Sequence, residues 1–80
     1  MASANLNSEI EEYVIKKVKE MRISANISQA ELAFKLGTAY GFIGNVESPK
    51  YRAKYNLNHL NKLAKIFNCS VKDFLPEKPL

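Results

Sequence analysis

The run Ser28-Gln29-Ala30-Glu31-Leu32-Ala33-Phe34-Lys35-Leu36-Gly37-Thr38-Ala39-Tyr40-Gly41-Phe42-Ile43-Gly44-Asn45-Val46-Glu47 decides the fold of this chain. Ser28 offers a side-chain oxygen to orphan backbone amides, and Glu31 stands three residues later, the spacing of a helix start. Leu32, Ala33 and Leu36 then form one apolar stripe. Gly37 stands where a left-handed residue closes a helix, and a second apolar set follows in Phe42, Ile43 and Val46. The pattern predicts two short helices joined by a tight glycine turn.

Upstream, Ser8 and Glu11 form a capping box, and Ile10, Val14, Val18 and Met21 recur at helical spacing. Asn26, Ile27 and Ser28 interrupt that pattern. Downstream, Ser48-Pro49-Lys50 ends the third helix, because proline disfavours helical geometry in the residue before it. A loop follows in which cations alternate with aromatics, Lys50-Tyr51-Arg52-Ala53-Lys54-Tyr55. Asn56 caps a fourth helix that turns Leu57, Leu60, Leu63, Ala64 and Phe67 inward. Asn68 closes it, and Ser70 caps a last turn or two carrying Val71, Phe74 and Leu75. The expected architecture is all-α, a compact five-helix bundle. Residues 1–7 and 76–80 read as flexible ends, with one folded domain over residues 8–75.

Composition narrows the class further. Eighty residues allow a single domain and no second one. Lys and Arg outnumber Asp and Glu by twelve to eight, a net charge of +4 that favours a polyanionic partner. No basic leader with an apolar core opens the chain, and no apolar run reaches the length of a membrane span, so the reading is cytoplasmic with no membrane partner. One cysteine, Cys69, and one histidine, His59, supply neither an internal disulfide nor a metal ligand set. His59 reads as pointing away from Leu60 and Leu63. Nothing resembles an acid–base pair, an activated nucleophile or a phosphate-cradling glycine loop. The expectation is therefore a binding module, not an enzyme, with no cofactor and no small-molecule ligand.

The residues carry more than a helical hairpin. Ser28-Gln29-Ala30-Glu31-Leu32-Ala33, the glycine turn at Gly37, the spacing to Glu47 and the ending Ser70-Val71-Lys72-Asp73-Phe74-Leu75 closely resemble the phage repressor and Cro-like (XRE-type) helix-turn-helix transcriptional regulators. The resemblance covers roughly Arg22 to Leu75. It implies a lambda-repressor-like DNA-binding domain with its helix-turn-helix at helices 2 and 3. It further implies binding to double-stranded DNA as a homodimer, on half-sites about 34 Å apart.

By the same resemblance, Gln29 is the residue that grips a phosphate and supports the recognition helix. Arg22 and Glu47 match a structural salt bridge. Ala39, Tyr40, Gly41, Gly44 and Asn45 fall on base-reading positions. Ser48, Lys50, Arg52 and Lys54 fall where the sugar-phosphate backbone is held, and Tyr51 or Tyr55 can add hydroxyl contacts. Cys69 matches a small apolar slot.

The third helix departs from the usual pattern. Two of its candidate readers are glycines and one is alanine, leaving Asn45 for a contact to adenine and Tyr40 for a phosphate or a thymine methyl. Each glycine costs a helix about 1 kcal/mol relative to alanine, so two on one face imply close approach by something. Phe42 beside them suits a thymine methyl, a protein surface or the core next to Val46. The alternative function is a protein-interaction module of the same fold, an antitoxin or regulator-binding partner, in which Tyr40, Phe42 and the glycines meet protein. A dimer surface can draw on Leu75, Pro76 and Leu80.

Overall fold

A computed structural model describes residues 6–80 and contains four α-helices followed by a single 3-10 turn. The helices are α1 (Glu9–Ser24), α2 (Gln29–Leu36), α3 (Phe42–Glu47) and α4 (Leu57–Phe67), and the turn spans Val71–Phe74. There is no strand among the described residues. A fifth helix was expected where the turn lies. Leu75 precedes Pro76 and is extended at φ −107° and ψ 150°, so the chain leaves helical geometry before a second turn can close.

Each element starts and stops for a local reason. The Ser8 hydroxyl accepts from the Glu11 amide at 3.3 Å, and the Glu11 carboxylate accepts from the Ser8 amide at 2.8 Å. That bond, with help from Lys54, holds the Glu11 carboxyl below the usual carboxylate range. Ser28 accepts from the Glu31 amide at 3.0 Å to open α2. Gly37, at φ 78°, closes α2 by donating to the Ala33 carbonyl at 2.9 Å. Asn56 and His59 cap α4 reciprocally, with the His59 Nδ1 accepting the Asn56 amide at 3.0 Å. Asn68 ends α4 in the left-handed region at φ 56°.

Every element supplies one fully buried side chain to a common core: Val18, Leu32, Ile43, Leu63 and Phe74. Around them pack Val14, Ile15, Leu36, Val46, Tyr55 and Leu60. Burying an aliphatic or aromatic side chain of this size contributes about 1.5–3 kcal/mol, so one from each element ties the whole chain into one cooperative unit. Two expected core residues lie outside. Ile10 is 46% and Leu57 78% exposed, because each sits in the first turn of its helix, beyond the core's edge. They line a shallow groove with Val14, Tyr55 and Leu60. Ile15, absent from the expected stripe, is buried in their stead.

Three further positions complete the fold, and the expectation that Gly41 lies within the third helix is corrected. Residues 1–5 lie outside the described residues; Asn7 is only 8% exposed, and its amide donates to the Ala53 carbonyl at 3.4 Å. Gly41 is the residue before α3, at φ −89° and ψ 3°, and carries no helical cost; only Gly44 lies inside the helix. His59 is half-buried, with its ring 5.0 Å from that of Phe42 and 6.1 Å from that of Tyr55. Cys69 is half-buried against the core, and burial, then Asp73, pushes its thiol pKa up. No helix among the described residues is long and apolar enough to cross a membrane.

Two outcomes follow. Replacing Gly37 by alanine forces a side chain into a left-handed position and against Lys62 Nζ at 3.2 Å, and is expected to lower the unfolding free energy in urea by about 1 kcal/mol. Burial holds the His59 imidazole below its ordinary pKa, so the unfolded chain binds a proton that the folded chain refuses. That stability is fully present above about pH 6.5, the ordinary histidine value, and is lost as pH falls through the lower folded value. His59→Gln keeps an acceptor for Asn56, so the parent should lose more stability than the variant between pH 7.5 and pH 5; equal losses would refute the assignment.

Candidate nucleic-acid interface

The Glu47 carboxylate organises the surface. Arg22, in the last turn of α1, donates through Nε to Oε2 and through a terminal nitrogen to Oε1, both at 2.9 Å. Its other terminal nitrogen donates to the Ile27 carbonyl at 2.8 Å. The two side chains are 11% and 2% exposed, a bidentate pair largely removed from water. These bonds hold the guanidinium pKa above its usual value. Glu47 Oε1 accepts a third bond, from Gln29 Nε2 at 3.0 Å. One carboxylate thereby joins α1, the turn after it, the first residue of α2 and the last residue of α3.

This matters most to α3, which has six residues and no side-chain cap at its start. Isolated helices shorter than about 12 residues are marginal in water, so α3 depends on anchors outside itself. Ile43 and Val46 fix its inner face in the core, and Glu47 fixes its end. Its outer face is left to solvent. Asn45 is exposed, as are Ala39, Tyr40 and Gly41 on the approach to the helix, with Tyr40 83% exposed. Gly44 is half-buried under Gln29, whose Oε1 lies 3.3 Å from the place a Cβ would take. Glu47 is the sole acid of α3 and is already matched by Arg22, so the outer face presents no negative charge.

Beyond α3, burial alternates along the irregular segment from Arg52 to Asn56. Ala53 and Tyr55 point inward; Arg52 and Lys54 point to solvent, as do Lys50 and Tyr51. Ser48 is half-buried and its hydroxyl accepts from the Lys50 amide at 3.2 Å. Lys54 lies 3.3 Å from the Glu11 carboxylate, an exposed pair worth little that a phosphate can replace.

Two candidate contacts, Tyr55 in this loop and Phe42 at the start of α3, are turned toward the core instead of solvent. Tyr55 is buried and its hydroxyl is enclosed without a hydrogen-bond partner, so it is not available to a phosphate; burial pushes its pKa up. Phe42 is half-buried, edge-on to Tyr55 at 6.1 Å and against His59, and so belongs with the aromatic trio under the loop. Sequence reasoning did not find Phe34, 85% exposed on α2. The signal was available, since Phe34 falls off the stripe of Leu32, Ala33 and Leu36.

Removing one member of a buried pair strands the other's charge, at about 3–5 kcal/mol. Glu47→Ala is therefore expected to lower stability by about 3 kcal/mol in chemical denaturation, and Gln29→Ala by less than about 1 kcal/mol. Arg22→Met combined with Glu47→Leu should recover most of the loss.

The model of the helix-turn-helix family matches residues 18–74, from the middle of α1 to the end of the 3-10 turn. No curated protein matches the chain. Among solved structures, the chain is similar to the restriction-modification controller protein C.AhdI from Aeromonas hydrophila. The TM-score is 0.67 at 24% identity, over 79% of this chain and 92% of that one. It is also similar to a hypothetical transcription factor, NHTF, from Neisseria. Here the TM-score is 0.73 at 20% identity, over 95% of this chain and 87% of that one. At these identities the likeness is one of fold. With the family match spanning most of the chain, and with its two central helices and Arg22–Glu47 pair in place, the protein belongs to the phage repressor and Cro-like, XRE-type helix-turn-helix family of DNA-binding transcriptional regulators.

Proposed function

We propose that this chain is a sequence-specific repressor that binds double-stranded DNA as a homodimer, with α3 in the major groove. The observation that carries the reading is an acid-free outer face on α3, followed along the chain by the exposed cations Lys50, Arg52 and Lys54. A duplex carries one negative charge per about 1.7 Å of axis, so a ridge entering the groove needs cations beside it and no carboxylate on it. Gln29, at the first position of α2, and Ser48, Tyr51 and the three cations are the candidate phosphate contacts. Asn45 and Tyr40 are the candidate readers, Asn45 for an adenine edge and Tyr40 for a thymine methyl. Ala39 and Gly41 contribute backbone and small bulk beside them, which lets Tyr40 reach outward unhindered.

A second reading has its own support. Phe34 and Tyr40 are 85% and 83% exposed, and large exposed aromatics suit a protein partner. Salt separates the two. On the DNA reading, affinity for a selected duplex falls steeply as salt rises, and Lys50→Ala or Arg52→Ala each lower the slope of log K against log salt by about 1. Selection from random duplex fragments is expected to return a palindrome. An affinity indifferent to salt and to both substitutions would favour the protein partner.

A further inference from the structure

We propose that Gly44 is a positioning residue: its missing side chain makes the seat in which Gln29 of α2 lies against α3, fixing the Gln29 amide for contact with DNA. The inference rests on the duplex-binding reading and extends it to a residue that touches no duplex in this scheme.

The geometry fixes the amide's orientation. Glu47 in its carboxylate form can only accept, so the Gln29 group facing it at 3.0 Å must be the NH2. The carbonyl oxygen then lies over Gly44, 3.3 Å from where a Cβ would stand and with the amide carbon at 3.9 Å. A separation of 3.3 Å is closer than an ordinary carbon–oxygen contact, so a methyl group there must move the amide or be moved by it. Gln29 is exposed, and what restrains its amide is the chain of bonds through Glu47. Its nitrogen is tied to Glu47 Oε1, and Glu47 is tied twice to Arg22. Shifting the oxygen outward lengthens the bond to Glu47 and redirects the second N–H, the one left for a phosphate.

The same contact explains why glycine occupies an interior position of so short a helix. Alanine is the better helix former there, so on propensity alone the substitution stabilises. Gly41, which sits before the helix, has no neighbour within 4 Å and performs no such service. The two glycines that look equivalent in the sequence are therefore distinct. Gly44 receives a side chain from within the molecule, and the close approach it permits is Gln29's own.

The test is a cycle of Gly44→Ala, Gln29→Ala and the double variant, with affinity measured for a duplex selected by the parent. The Gln29 side-chain amide resonances are followed in the free proteins. Gly44→Ala should fold at least as stably as the parent, shift the Gln29 amide pair, and bind about tenfold more weakly, the scale of one hydrogen bond to a charged group. In the Gln29→Ala background the same change should cost nothing further. An equal loss in both backgrounds would show that Gly44 acts on the duplex directly and overturn the proposal, as would an unmoved Gln29 resonance. A parent that binds no duplex would sink the DNA reading alone, and the resonance in the free protein would still decide whether Gly44 seats Gln29.

Discussion

A buried carboxylate that must satisfy three donors sets the geometry of this protein. Glu47 takes two bonds from Arg22 and one from Gln29, and its side chain is almost wholly withdrawn from water. Unpaired, such a charge is costly enough to cancel a large share of a small domain's stability. The three donors reach it together in one arrangement of α1, α2 and α3. The shortest α-helix, which has no side-chain cap and an interior glycine, is thus placed by a bidentate ion pair largely withdrawn from water. Apolar packing of Ile43 and Val46 sets how deep α3 sits; the carboxylate sets which way it turns.

Much of the fold could be read from the sequence because its helix ends are local chemistry. Ser8 with Glu11, Ser28, Gly37, Pro49, Asn56 and Asn68 each act through backbone groups within a few residues, and the structure has a boundary at each of them. Burial was less legible, because spacing gives the direction of a face and not how far the core extends. Ile10 and Leu57 have the correct phase yet stand in first turns that overhang the core. Pro76 is plain in the sequence, but its effect on the residue before it limits the last element to a single 3-10 turn.

The candidate site was legible as a set and less so as a geometry. Lys50, Arg52 and Tyr55 are alike to a reading that sees only an alternating loop. In the folded chain the first two are exposed and the third is in the core. The enclosed Tyr55 hydroxyl then stands beside Phe42 and His59, so three residues of unassigned or mistaken role become one aromatic support between α3 and α4. His59 has a second task in that support, because its Nδ1 accepts the first orphan amide of α4. The acceptor role requires Nδ1 to be unprotonated, which ties the cap of α4 to the protonation of one side chain.

On the proposed reading, the sparse outer face of α3 also bears on assembly. Asn45 and Tyr40 are the side chains left to read bases, and a good bidentate contact discriminates by about 1–3 kcal/mol. Specific sites are usually preferred over arbitrary sequence by about 4–10 kcal/mol. One subunit with one or two readers therefore reaches at most about 6 kcal/mol, the lower part of that range, while two subunits on symmetric half-sites double the discrimination. Cations on the loop cannot make up the difference, since phosphate contacts strengthen binding to every sequence alike. On that reading, an outer face this bare favours a symmetric pair of subunits over a single one, with the remaining discrimination left to the shape and stiffness of the DNA between the half-sites.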